Sequence, residues 1–340
     1  MYQITIFIKR FVKKFFPFWI INRKIIFKTE KVLHVIGYNE GPEHYNCNKE
    51  KLLNFYLSDA LLGFQFYSYT EKKIPHRINW NRSNPSLSNH FYGHLDIFNT
   101  IGNPKKKFAI IVETEAIEPT TYKKILRHPK LASKFDAIFT HSYEILQKYS
   151  NAYFIPAGGL WIDPNLNVTD FKDNPLNYKP FGVSMVSSNK KMNKLHSYRI
   201  KIAKQLKFRG LVDTYGTFDN GEKIDISESL LQYKYSIIIE NTVTPYCFTE
   251  KILNCFSTFT IPIYLGATKI SDFFNTDGII QFSEKHSIDN LMKLLTKCDE
   301  KFYLANIDAI IDNYERSRKY TCQEDYIVEN YGYMFLDEPK

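Results

Sequence analysis

The sequence predicts an α/β protein of two doubly wound domains facing each other across a cleft. Its 340 residues exceed what one hydrophobic core ordinarily supports, which favours two domains. Short apolar, β-branched runs alternate with amphipathic segments, as parallel strands joined by helical crossovers require. A stretch rich in proline and asparagine, residues 162–180, breaks that alternation and reads as the interdomain linker. The expected domains are therefore residues 1–165 and 180–340.

The elements follow in order. Phe7, Ile8, Phe11, Val12, Phe15 and Phe16 recur at helical spacing, with Lys9, Arg10, Lys13 and Lys14 on the other side and Pro17 as a stop. The uncharged stretch from Phe15 to Asn22 is too short to cross a bilayer, and no small-residue cleavage site follows it. Residues 1–28 are expected either to lie on an anionic membrane or to pack on the protein's own core. Both readings bury the same apolar stripe, and both stay open. Lys31–Gly37 reads as a strand, Asn48–Leu62 as a helix and Lys73–Ser88 as a loop. Phe108–Glu113 and Phe135–His141 read as buried strands. A helix is expected over Thr121–Arg127 and another over Ser142–Tyr149, capped by Ser142. In the second half, strands are expected at Gly182–Ser188, Leu211–Gly216, Tyr235–Asn241, Thr260–Gly266 and Gly278–Phe282. Helices are expected at Leu195–Lys207 and Thr249–Phe256, and two or three more finish the chain.

A net charge of +9 draws the chain to polyanions, anionic membranes and phosphorylated ligands. A basic nucleic-acid-binding protein is the alternative from another class, but no recognition motif of that kind is present. The five cysteines include no Cys-x-x-Cys pair, so neither a disulfide framework nor a zinc site is indicated, and a reducing compartment is the simpler reading. No dinucleotide fingerprint, phosphate-binding P-loop or Asp-x-Asp pair occurs, so no metal site is expected.

The residues between Tyr233 and Gly266 carry the strongest chemical signal. An apolar strand runs into Glu240 and Asn241 at its carboxyl end, where open α/β sheets place ligands. Thr249 is positioned to cap the next helix, with Glu250 and Lys251 in its first turn. The free N–H groups and positive dipole end there suit a diphosphate, Lys251 adds a cation, and Glu250 is able to accept hydrogen bonds from sugar hydroxyls. Thr-Glu-Lys taken alone reads more readily as a well-capped helix start than as a binding motif.

The ordered set Tyr233, Lys234, Tyr235, Glu240, Asn241, Thr249, Glu250, Lys251, Pro262 and Gly266 resembles the donor-binding motif of glycosyltransferase family 10, the α-1,3/4-fucosyltransferases. A second block agrees: Ser188, Asn189, Arg199, Val212, Asp213 and Gly216 fit that family's pattern of strand, Ser-Asn, helical Arg and Val-Asp-hydrophobic-Gly. A third lies in the first half, where Glu115 to Pro119 matches the family's Glu-x-x-x-Pro segment. The resemblance implies a GT-B fold of two Rossmann-like domains, the first for the acceptor and the second for the donor. It implies metal-independent, inverting transfer of L-fucose from GDP-fucose to a hydroxyl of a glycan, with no cofactor beyond the donor. Arg199 and Lys251 would bind the GDP. Glu240, Asn241, Ser188, Asn189, Thr249 and Tyr246 would line the donor site, and Glu250 would sit by the sugar. Glu115 would be the base, with Glu113 in reserve; His196, one turn before Arg199, shares its face. The chain departs from the family in carrying Cys247 where a Tyr often stands, with Tyr246 displaced by one, and this leaves the role of that Tyr open. The resemblance is to bacterial or viral-type members, which implies a cytoplasmic protein, peripheral on the inner membrane face if residues 1–28 bind lipid, with a lipopolysaccharide or lipid-linked acceptor. Another donor such as GDP-mannose, and a catalytically inactive glycan-binding relative, are the alternatives on the same fold.

Overall fold

Two all-parallel sheets organise the described residues. The computed structural model describes residues 53–59, 77–81, 84–285 and 287–335, all within one compact unit spanning 50–340. The expected strand at Lys31–Gly37, the basic segment 1–28 and Cys47 lie outside the described residues.

The first sheet has six strands: β1 (Leu53–Ser58), β2 (Ile78–Asn81), β3 (Asn89–Gly93), β4 (Lys106–Ile111), β5 (Ala137–Thr140) and β6 (Ala152–Phe154), in the order β2-β1-β3-β4-β5-β6. Helices α1 (Pro119–Arg127), α2 (Pro129–Ala132) and α3 (Tyr143–Lys148) connect the strands of its second half. One face buries Phe55, Trp80, Phe91, Phe108 and Phe139; the other buries Tyr92, Ile111, Ile125, Ile138 and Ile145. Burial on both faces explains why β4 and β5 read as continuous apolar runs. Ser142 caps α3 through the Ile145 N–H, as its position before the helix predicts.

Two expectations for this half are overturned. The helix expected over Asn48–Leu62 is, where described, the strand β1. An unbroken apolar run such as Phe55-Tyr56-Leu57 suits a buried strand or a helix equally, and pairing on both sides with β2 and β3 decides it. The loop expected over Lys73–Ser88 contains β2, whose Ile78 and Trp80 are buried; packing there overrides a composition poor in strand formers.

The second sheet comprises β7 (Phe181–Val186), β8 (Asp213–Tyr215), β9 (Tyr233–Ile239), β10 (Ile261–Leu265) and β11 (Ile280–Gln281), in the order β11-β10-β9-β7-β8. These are the five strands expected. The segment between the sheets is not slack: it holds α4 (Val168–Asp173) and α5 (Pro175–Tyr178), and Phe171 stacks on Phe259 with centroids 4.0 Å apart. Helix α6 (Lys194–Arg209) follows β7, capped by Asn193 and ended by Gly210 in the left-handed conformation. Helix α7 (Glu250–Ser257) links β9 to β10. Four α-helices, rather than two or three, close the described chain: α8 (Ile288–Leu295), α9 (Glu300–Ala305), α10 (Ile307–Ser317) and α11 (Gln323–Tyr331). The last returns to the first sheet, where Ile327 and Phe335 join its aromatic core. A third core, built on Leu160, Phe248, Phe256, Tyr264 and Tyr320 with Phe154 packed against it, joins the two halves. No helix among the described residues is long and apolar enough to cross a membrane.

Candidate active site

The carboxyl edge of the second sheet gathers most of the residues singled out in that half. Glu240 leaves the end of β9 with its side chain fully buried. One of its oxygens accepts the Thr249 N–H at 3.0 Å; the other accepts the Thr249 hydroxyl at 2.7 Å and faces Lys251 Nζ at 3.3 Å. Thr249 caps α7 through the Lys251 N–H. Lys251 Nζ also meets Thr249 Oγ1 and Glu250 Oε1, each at 3.0 Å, and a quarter of the side chain stays open to solvent (24%). Burial opposes the ammonium charge, but the Glu250 and Glu240 carboxylates outweigh it and raise the Lys251 pKa. Lys251 is thus a fixed cation at a helix N-terminus. Glu240, expected to line the donor site, lies behind it and holds Thr249 and Lys251 in place.

Across from this knot, α6 presents Arg199 and His196. Arg199 is 8% exposed, donating to the Ile239 carbonyl and to Ser188 Oγ, each at 3.4 Å, while its buried Nε has no partner among the described residues. Burial lowers its pKa against the pull of Glu240 and Glu250. The Met192 N–H donates to His196 Nδ1 at 3.1 Å, so the ring carries its proton on Nε2, which donates to Asn241 Oδ1 at 2.8 Å. Burial lowers the His196 pKa; the Asn241 bond opposes this, and the cations Arg199 and Lys251 add to it. His196 is therefore a neutral holder that fixes the Asn241 amide. Asn193 adds a second hold on the Asn241 carbonyl at 3.1 Å. Asn189 is exposed, its N–H donating to Thr217 Oγ1 at 3.2 Å.

Gly266, the last residue of the motif, lets the protein approach itself closely: a Cβ there would lie 2.6 Å from Glu240 Cγ and 2.3 Å from the Tyr264 hydroxyl. Tyr246 packs edge-on against Tyr143, Phe154 and Phe273 at the junction of the halves. Burial and a hydrogen bond to Asp272 raise its pKa. Cys247 is fully buried, and burial drives its pKa well up, which makes it a packing residue. Gly158, from the first half, lies against α7: a Cβ on it would be 3.1 Å from the Glu250 N–H nitrogen and 3.3 Å from Glu250 Oε2. Sequence reasoning passed over Gly158, Asn193 and Asp272, whose roles depend on contacts distant in the chain.

The acidic loop follows β4, at the carboxyl edge of the first sheet. Its three carboxylates differ in environment. Glu118 is buried and caps α1 through the Thr120 and Thr121 N–H groups at 3.1 and 2.9 Å. Glu113 is half-buried and accepts the Thr114 N–H at 2.9 Å. Glu115 is exposed, and its carboxylate accepts no hydrogen bond from the described residues. His141, at the end of β5, lies beside this loop with Nε2 3.2 Å from the Val112 carbonyl, and burial pushes its pKa down to about 4. Among the described residues, no group of three or more His, Cys, Asp and Glu side chains is placed to hold a metal ion.

Residues 176–308 match the family model of the C-terminal domain of glycosyltransferase family 10 (fucosyltransferase). No curated protein matches the chain. Similar solved structures include an α1,3-fucosyltransferase with GDP (14% identity, TM-score 0.52, covering 87% of this chain and 94% of that one). A glycosyltransferase from Rickettsia africae ESF-5 is similar over 87% of this chain and 100% of its own (12% identity, TM-score 0.51). Anabaena HepE in complex with UDP and glucose is similar over 72% and 78% (12% identity, TM-score 0.50). The architecture is GT-B: two Rossmann-like sheets with the donor-type motif on the second.

Proposed function

We propose that this chain, a glycosyltransferase carrying a family 10 domain over residues 176–308, transfers L-fucose from GDP-fucose to a glycan hydroxyl with inversion. The observation that carries the reading is the convergence, at one sheet edge, of Arg199, Lys251 and the N-terminus of α7. Such a set suits a nucleoside diphosphate, whose charge grows as it leaves.

In this mechanism the acceptor oxygen attacks the anomeric carbon of fucose from the face opposite the diphosphate. The bond from that carbon to the β-phosphate oxygen breaks, and GDP departs with the electron pair. The fixed cation of Lys251, the Arg199 guanidinium and the α7 N–H groups meet the new charge. Glu115, the loop carboxylate that accepts no hydrogen bond from the described residues, takes the acceptor proton. Glu250, held by Lys251, orients the sugar, and Asn241, held by His196 and Asn193, lines the same site. The chain's own cations supply the diphosphate neutralisation, so the reading requires no metal.

The test is turnover. The protein is incubated with GDP-fucose, GDP-mannose or UDP-glucose and a panel of oligosaccharides, with and without EDTA, and both GDP or UDP release and product mass are read. GDP release with GDP-fucose that survives EDTA, with fucose added to an oligosaccharide, is expected. Transfer from GDP-mannose or UDP-glucose alone would replace the donor and keep the fold.

A further inference from the structure

A second chain of buried polar groups runs along the carboxyl edge of the first sheet, where three strands each deliver one residue. Asp59 follows β1, His94 follows β3 and Glu113 follows β4. The side chains of Asp59 and His94 are both fully buried. His94 has φ 47, a left-handed conformation that a non-glycine residue holds only where its surroundings impose it.

Those surroundings are visible. The Glu113 N–H donates to His94 Nε2 at 2.9 Å, which leaves the ring proton on Nδ1. Nδ1 faces Asp59 Oδ2 at 3.7 Å, too long for a hydrogen bond but close enough for the carboxylate to orient the ring. The Asp59 carboxyl fills the space beside Gly93, where a Cβ would stand 2.6 Å from Oδ2. The Ser58 hydroxyl donates to Asp96 at 2.6 Å and ties the end of β1 to the turn carrying His94. On the far side, the Tyr122 hydroxyl donates to the Glu113 carbonyl. Glu113 is thereby gripped at both its N–H and its C=O, and Glu118 anchors the other end of the loop on α1.

We propose that His94, oriented by Asp59, is a positioning residue that sets the Glu113–Glu118 loop so that the Glu115 carboxylate faces the acceptor. The catalytic half of this inference rests on the reading of Glu115 as base. Neither residue touches the donor knot around Glu240, so their loss is expected to change turnover and not GDP binding.

The test uses His94→Asn and His94→Gln. Asparagine accepts the left-handed backbone but is too short to reach the Glu113 N–H, whereas glutamine places an oxygen near the position of Nε2. Three quantities are read: deuterium exchange of the peptide covering residues 112–118, GDP affinity by calorimetry, and GDP release from GDP-fucose to water. His94→Asn is expected to speed loop exchange, keep the Kd for GDP within about twofold and lower kcat by about 10- to 100-fold at unchanged KM, a loss of the size that misplacing a reacting group causes. His94→Gln is expected to recover part of kcat and of the protection. Asp59→Asn, which keeps its volume, gives the same pattern in weaker form and serves if His94→Asn does not fold. Wild-type loop exchange and kcat in these variants would overturn the proposal, as would a fall in GDP affinity matching the fall in kcat. If the wild-type protein releases no GDP from GDP-fucose, either to water or with the oligosaccharide panel present, the fucosyltransferase reading fails, and the exchange data still decide whether His94 holds the loop.

Discussion

Glu240 shows how a motif residue acts without being exposed. Its carboxylate spends both oxygens on Thr249 and Lys251, and the charge that reaches the site surface is that of Lys251. The motif was legible because its residues sit at fixed spacings along one strand, one turn and one helix start. The division of labour within it was not, because burial and partner choice depend on the fold. The acidic loop makes the same point: the spacing to Pro119 singles out Glu115 in the sequence, and the fold separates the three carboxylates further, with Glu113 folding back on Thr114, Glu118 capping a helix and Glu115 accepting no hydrogen bond from the described residues. Glu115→Gln is therefore expected to lower kcat for fucose transfer by about 10²- to 10⁴-fold while leaving the GDP titration curve unchanged. A variant that kept wild-type kcat would remove Glu115 as the base and return attention to Glu113.

At the scale of elements, helix α7 does the most for the site. Its cap, Thr249, is also the main ligand of Glu240, so one side chain sets both the helix start and the buried carboxylate. Thr249→Ala loses the cap, about 1 kcal/mol, and leaves the carboxylate short of a donor, about 1–3 kcal/mol more. A drop of several degrees in thermal midpoint is expected, and an unchanged midpoint would mean that α7 needs neither contact. Strands β4, β5, β7, β9 and β10 were legible because buried parallel strands read as apolar runs between turn signals. β1, β2 and β3 were not. β1 reads as a helix because its apolar run carries no period, and β2 is four residues held by Trp80 packing on Phe55 and Phe91. The positioning His94 was hidden for the same reason: without β1 and β3, nothing in the sequence brings it beside Glu113.

At the scale of the described chain as a whole, its two halves are tied together by the last helix. Helix α11 returns to the first sheet, where Gln323 donates to the Pro156 carbonyl at 2.6 Å and Tyr331 to the Phe154 carbonyl at 2.7 Å. Within this strap Glu324 is buried, accepts the Trp80 indole N–H at 3.2 Å and is pushed by burial from 4.5 up to about 8. The folded state therefore keeps a proton that the unfolded chain gives up above its ordinary carboxyl pKa. The contribution to stability is full below about 4.5, declines as pH rises, and is lost above about 8. Glu324→Gln, which keeps the shape without the titration, is expected to melt higher than wild type at pH 9 and to narrow the wild-type difference between pH 5 and pH 9. Identical pH profiles for the two proteins would refute that account of Glu324. The central claim, that Arg199 and Lys251 form a nucleoside diphosphate site, is tested most directly by calorimetric titration of GDP into wild type, Arg199→Ala and Lys251→Ala. The account predicts saturable one-to-one binding to wild type and a loss of about 10- to 100-fold in affinity for each variant, the value of one charge-assisted hydrogen bond. Absence of GDP binding to wild type, or equal affinity in all three proteins, would contradict it.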